Sequence, residues 1–323
     1  MWMDIVFLVV SLVVILVGAN LLTDGSAAVA RRFGLSDLVV GLTVVAFGTS
    51  TPELVVSIMA AINGNAPLAV GNVVGSNIFN ILVIIGLTAA VMPISIKRTI
   101  MTREIPMVIM SSFILLVLGA QTLLGGSTNT ISRTEGIFLL IFFALFMRYT
   151  LTEAKGGTSG EDTQDKPAEA KPSGMVKNIV LIIAGLAGLV WGGNKFVESA
   201  SGIARAIGVS DAVIGLTVVA AGTSLPELAA SIVAAVKKMP GMAVGNVIGS
   251  NIFNVLFVLG LSSVVSPLPF GDINLTDMLV LMGASLLFWL FGWAFKTRTI
   301  TRWEGALMFA CYVGYTAYLI SQI

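Results

Sequence analysis

Long apolar runs separated by short stretches carrying most of the Lys and Arg organise the chain. They fall at about Ile5–Leu22, Leu38–Ala61, Leu68–Met92, Ile105–Leu124 and Ile137–Leu151, then Val176–Phe196, Ala212–Val236, Met242–Val265, Met278–Phe295 and Ala306–Ile320. Each reaches or approaches the ~20 residues with which an α-helix crosses a hydrocarbon core. The pattern predicts an all-α polytopic membrane protein of ten transmembrane helices. The first run has Asp4 where a secretory leader would be basic, and Arg31 and Arg32 follow it, so it reads as a retained span. Only Thr152–Gly174, rich in Gly, Ser, Pro, Glu, Asp and Lys, breaks the alternation, and it reads as a flexible cytoplasmic linker. The chain then divides into residues 1–151, a linker at 152–174 and residues 175–323.

The basic residues orient the spans, because Lys and Arg accumulate on the cytoplasmic side. With the N-terminus outside, 15 of the 18 Lys+Arg fall in cytoplasmic loops, leaving Arg133, Lys195 and Arg205 outside. Both termini are therefore predicted to be extracellular.

Composition narrows the function. Charged residues make up 11% of the 323 residues and apolar ones 56%, against roughly 25% charged in a soluble protein. Mean hydropathy is +0.98. With no histidine, neither a His-based catalytic pair nor an imidazole metal site can form. Cys311 is the single cysteine, so no disulfide forms within the chain, and a net charge of +1 provides no field to recruit nucleic acid.

The two halves are one repeat. Ser36–Asn80 and Ser210–Asn254 align at an offset of 174 with 30 of 45 positions identical. GLTVVAFGTSTPEL, from Gly41, returns as GLTVVAAGTSLPEL, from Gly215; AVGNVVGSNIFN, from Ala69, returns as AVGNVIGSNIFN, from Ala243. Weaker echoes, such as Arg133, Glu135 and Gly136 against Arg302, Glu304 and Gly305, extend the repeat to five spans per half. Because five is odd, the second copy enters the membrane from the opposite side. The expectation is an inverted-topology repeat, as in secondary transporters that expose a central site alternately.

The best-matched segments hold the chemistry. Glu53 and Glu227, at equivalent positions, are the only acids deep within predicted spans, where an ionised carboxylate costs a few kcal/mol unless paired. No Lys or Arg lies at that depth, which leaves a bound cation as the simplest partner. Pro52 and Pro226 precede the acids and break the helix, freeing carbonyls beside Thr49, Ser50, Thr223 and Ser224. Such oxygens suit Ca²⁺, which takes about 6–8 of them, and Na⁺. Asn72, Ser76 and Asn80, like Asn246, Ser250 and Asn254, form a polar stripe at i, i+4, i+8. Of these, Ser76, Asn80, Ser250 and Asn254 read as site-lining, and Asn72, Asn77, Asn246 and Asn251 as packing or helix-break polars. The pairs Gly71/Gly75 and Gly245/Gly249 read as close helix contacts.

The doubled GTSTPE/GTSLPE and GNVVGSN/GNVIGSN motifs resemble the sodium/calcium exchanger branch of the calcium/cation antiporter superfamily, over nearly the whole chain. The resemblance implies a ten-helix fold whose helices 2, 3, 7 and 8 form a core, with tilted helices 1 and 6 sliding past it. It also implies electrogenic exchange of several Na⁺ for one Ca²⁺. On this resemblance Glu53 and Glu227 bridge Ca²⁺ with the carbonyls of Thr49 and Thr223. Na⁺ sites use the carbonyls of Ala46 and Ala220, the side chains of Ser50, Ser224, Ser76 and Ser250, and the same glutamates. Asn80 and Asn254 complete the centre. Several members carry Asp at one of those two positions, whereas this chain has Asn at both, so the site holds two formal negative charges rather than three.

The expectation is a Na⁺/Ca²⁺ antiporter working by alternating access in a prokaryotic plasma membrane. Its substrates are Ca²⁺ and Na⁺ and its surroundings the lipid bilayer, with no cofactor, nucleic acid or obligate protein partner. A H⁺/Ca²⁺ antiporter, with the glutamates carrying protons, is the first alternative. A cation channel is a second, and the inverted repeat weighs against it because most channels repeat around a pore axis. An intramembrane enzyme with Ser50 or Ser224 as nucleophile lacks a histidine or buried lysine as base.

Overall fold

A computed structural model describes residues 2–155, 174–207, 220–271, 273–293 and 298–322. The first apolar run forms α1 (Trp2–Phe33). Gly34, at φ +65°, makes the left-handed turn that ends it. Ser36 then caps α2 (Asp37–Thr49), its Oγ accepting from Val39 N at 3.3 Å. Next come α3 (Thr51–Ile62), α4 (Ala66–Val91), α5 (Ile100–Gly119) and α6 (Arg133–Lys155). The second half gives α7 (Met175–Ala206), α8 (Ala220–Thr223), α9 (Leu225–Val236), α10 (Pro240–Val265), α11 (Leu275–Trp293) and α12 (Arg302–Ser321).

Seven of these helices are long and apolar enough to cross a membrane, and an eighth span is formed if α2 and α3, bent by 46° at their junction, count as one. The predicted span at Leu38–Ala61 is thus two helices. Its counterpart at Ala212–Val236 is described from Ala220 onward, as α8 and α9. The helix of the last predicted span, α12, is not among the seven; it holds three of the four tyrosines, which lower its hydropathy. The predicted linker lies outside the described residues from 156 to 173. Two boundaries differ from the sequence pattern: α1 and α7 run to 32 residues each, because segments rich in Gly, Ser and Ala continue both helices past the end of the apolar run.

Burial ranks the helices. The most apolar 18-residue stretches of α4 and α10 are each 83% buried, against 28% for α1 and 22% for both α6 and α7. Helices α4 and α10 therefore form the centre, and the others turn apolar faces such as Val6, Val13, Phe138 and Ile183 outward, as lipid contact requires. Packing is swapped between the halves: α12 lies on the C-terminal part of α4 and α6 on that of α10, while α2 packs on α10 and α8 on α4. Short antiparallel strands tie the periphery. β1 (Ile94–Ser95) pairs with β4 (Thr299–Ile300), and β2 (Thr130–Ile131) with β3 (Leu268–Pro269). Glycine permits the closest approaches. A Cβ on Gly41 would stand 2.5 Å from Met242 O, and one on Gly245 2.6 Å from Leu38 O.

Candidate cation site

Both glutamates sit in the first turn after a break in a helix. Ser50, at φ −82° and ψ 9°, separates α2 from α3; Ser224, at φ −91° and ψ 7°, separates α8 from α9. Pro52 and Pro226 occupy the first turn of the following helix, where their missing N–H interrupts no hydrogen bond. Glu53 and Glu227 follow, 1% and 0% exposed.

The halves exchange hydrogen bonds at this point. Ser50 Oγ donates to Glu227 Oε1 at 2.8 Å, and Ser224 Oγ donates to Glu53 Oε1 at 3.2 Å. Ser76 Oγ, from α4, donates to the same Glu53 oxygen at 3.4 Å. Serine hydroxyls from both halves thus meet the two carboxylates.

A second pair of contacts holds the backbone behind each acid. Asn72 Nδ2 donates to Glu53 O at 3.2 Å and to Ser57 Oγ at 2.9 Å; Asn246 Nδ2 donates to Glu227 O at 3.2 Å and to Ser231 Oγ at 3.0 Å. Asn72 and Asn246 are thus clamps on the break, consistent with their reading as helix-break polars. Ser57 and Ser231 were not singled out from the sequence. Their signal was present, since each follows its glutamate by four residues on the same helical face and recurs at the 174 offset. Thr49 Oγ1 lies 3.0 Å from Val45 O and 3.1 Å from Asn246 Oδ1, tying the end of α2 to α10. Ala46 O accepts from Ser50 N at 3.0 Å, and Ala220 and Thr223 delimit α8 at the matching place.

Several oxygens here accept nothing from the protein. Glu53 Oε2, Glu227 Oε2, Asn80 Oδ1, Asn254 Oδ1 and Ser250 Oγ are buried without a hydrogen-bond partner. Leaving one buried acceptor unsatisfied costs about 1–3 kcal/mol, and these five belong to residues predicted to line the site. Hard oxygens with only two carboxylates among them suit Na⁺ and Ca²⁺. Asn80 opens a π-helical turn (Asn80–Ile85) and Asn254 lies within another (Phe253–Leu259). Such turns rearrange the backbone hydrogen-bond ladder and often mark functional positions. No motif in the sequence announced them.

Apolar helices of membrane-spanning length, wrapped around two buried carboxylates set in hydroxyl and amide oxygens, define an integral membrane protein that handles cations. The family model for sodium/calcium exchanger proteins matches residues 3–152 and 177–321, and the chain belongs to that family, which is one of transporters rather than enzymes. It is similar to the sodium/calcium exchanger MaX1 of Methanosarcina acetivorans, at 31% identity over 348 residues and 98% of each chain. It is also similar to the inner membrane protein YrbG of Escherichia coli, 35% identical over 295 residues, 88% of this chain and 87% of that one. Among solved structures, the sodium-calcium exchanger NCX_Mj soaked with 2.5 mM Na⁺ and 0.1 mM Ca²⁺ matches with a TM-score of 0.82 and 34% identity, over 98% of each chain.

Proposed function

We propose that this chain is an electrogenic Na⁺/Ca²⁺ antiporter that binds both ions at Glu53 and Glu227 and works by alternating access. The observation that carries this reading is the crossed pair of serine–glutamate contacts, each leaving one carboxylate oxygen without a protein donor. Ca²⁺ bridges the two glutamates with the carbonyls of Thr49 and Thr223, and Asn80 and Asn254 complete its shell. Na⁺ uses the carbonyls of Ala46 and Ala220 and the hydroxyls of Ser50, Ser224, Ser76 and Ser250. One Ca²⁺ neutralises two carboxylates; more than two Na⁺ return with excess charge, which makes the cycle electrogenic. Both ions compete for one set of oxygens, and crossing between states with two bare carboxylates is costly, so each ion drives the other.

The strand pairing supports two inverted five-helix repeats, residues 1–151 and 175–323. β1 follows α4, and β4 follows α11 after one further crossing of the second half. The two meet on one side of the membrane only if the halves run in opposite senses. The same holds for β2 and β3. In this topology both termini face outward, the linker at 152–174 is cytoplasmic, and the long helices α1 and α7 slide past the core. The protein sits in a prokaryotic plasma membrane, where the inward Na⁺ gradient expels Ca²⁺.

The test is Ca²⁺ uptake into sealed proteoliposomes loaded with Na⁺, repeated with a pH gradient replacing the Na⁺ gradient. Uptake that requires internal Na⁺ and responds to membrane potential is expected. Uptake that follows the pH gradient alone would move the protein to H⁺/Ca²⁺ exchange, and uptake with no counter-ion would make it a channel.

A further inference from the structure

The crossed serine–glutamate bonds match between the halves, and one step away the pattern is asymmetric. Asn77 and Asn251 are equivalent positions of the repeat, each 1% exposed, yet their amides do different work. Asn77 Nδ2, on α4, crosses to α10 and donates to the backbone carbonyl of Asn251 at 3.2 Å. Its Oδ1 accepts from Asn254 Nδ2 at 3.1 Å. Asn251 Nδ2 instead donates to Val247 O in its own helix at 2.7 Å, and its Oδ1 has no partner.

A backbone carbonyl can only accept, so it determines which end of the Asn77 amide faces it. Nδ2 must point to Asn251 O, and Oδ1 is left facing Asn254. That oxygen in turn demands a donor, so Asn254 must turn its Nδ2 to Asn77 and its Oδ1 away. Asn254 Oδ1 is the atom left without a protein partner in a fully buried side chain. The opposite flip would aim two N–H groups at the cation and set two oxygens against each other. The corresponding relay from Asn251 to Asn80 is not made.

We infer that Asn77 is a positioning residue: anchored on the Asn251 carbonyl, it locks the Asn254 amide with its oxygen toward the cation. This inference rests on the cation-site reading above. It explains how a neutral amide serves as a dependable ligand at 254, where an acidic side chain would present oxygen whichever way it turned. It also makes the site unequal, since Asn254 is held as an acceptor by this relay and Asn80 is not.

A double-mutant cycle read by Ca²⁺ titration calorimetry on the purified full chain in Na⁺-free detergent solution tests it. Asn77→Leu removes a hydrogen bond between two neutral amides, so it should raise the Ca²⁺ Kd by about twofold to tenfold; an unchanged Kd overturns the relay. Asn254→Asp is then compared in both backgrounds. Opposite an Asn77 oxygen the new carboxylate meets repulsion, so it should tighten Ca²⁺ binding more in the Asn77→Leu chain than in the wild-type chain. A merely structural Asn77 would give the same factor in both, and that result sinks the proposal. Should Asn77→Leu not fold, Asn77→Ser, too short to reach both neighbours, replaces it under the same two criteria. Wild-type protein that binds no Ca²⁺ overturns the site reading itself; wild type that binds, beside an unaffected Asn77→Leu, overturns only the relay.

Discussion

Glu53 and Glu227 each use one oxygen on a serine from the other half and have a second that meets no protein donor. Glu53→Gln or Glu227→Gln removes a formal charge and turns an acceptor into a donor at nearly unchanged volume. Either change is expected to abolish Na⁺-dependent Ca²⁺ uptake while the protein stays monodisperse on size exclusion. Wild-type uptake by either variant would contradict bridging of Ca²⁺ by the two acids. Asn246→Ala should act differently. It removes the hydrogen bonds to Glu227 O and Ser231 Oγ, both near 3 Å, each worth about 0.5–1.5 kcal/mol. The midpoint of thermal unfolding in detergent should fall by several degrees and Ca²⁺ affinity should weaken with it; an unchanged midpoint would mean the clamp carries no stability. The glutamates were legible in the sequence because no other acid lies deep in an apolar run. Asn72 and Asn246 were legible only as polar, since the carbonyls they bind belong to helix breaks whose shape emerges on packing.

At the scale of elements, prolines, small residues and apolar length were readable, and helix width was not. The break before Pro52 falls where expected, but the π turns at Asn80–Ile85 and Phe253–Leu259 hold, apart from Asn80 and Asn254, only apolar residues and no Gly or Pro. Close packing also runs along α1 and α7, where a Cβ on Gly185 would stand 2.5 Å from Leu22 N and one on Gly18 2.8 Å from Gly185 O. Each helix has 32 residues, about 48 Å at 1.5 Å per residue, so both must tilt to fit a core of ~30 Å. Gly185→Leu should separate the pair and slow transport, with Ca²⁺ affinity within about twofold of wild type because the site lies on other helices. Uptake rate and calorimetric affinity measured on one preparation check this; a rate like that of wild type would remove the seam from the mechanism. Gly41→Ala meets backbone and not a flexible side chain. It is expected to destabilise by about 1–3 kcal/mol, seen as a lower unfolding midpoint.

For the whole molecule, the chain of 323 residues operates as two copies of one motif. Deleting Gly156 to Lys171 should leave Na⁺-dependent uptake intact if those residues only tether the halves, and loss of ion affinity on deletion would give them a sensing role. The sequence by itself determined that the chain lies in a membrane, that it is duplicated and which two acids are costly to bury. These follow from composition, run length and spacing, which are local or periodic properties. Only the tertiary structure decided which oxygens meet. That Ser50 serves Glu227 and not Glu53, that α6 and α12 pack on the opposite halves, and that Asn77 and not Asn251 reaches across are contacts between residues far apart in the chain. A repeated sequence specifies the same chemistry twice and is silent on which copy each side chain faces. Packing resolves that choice, because buried donors and acceptors must pair across the interface that encloses them.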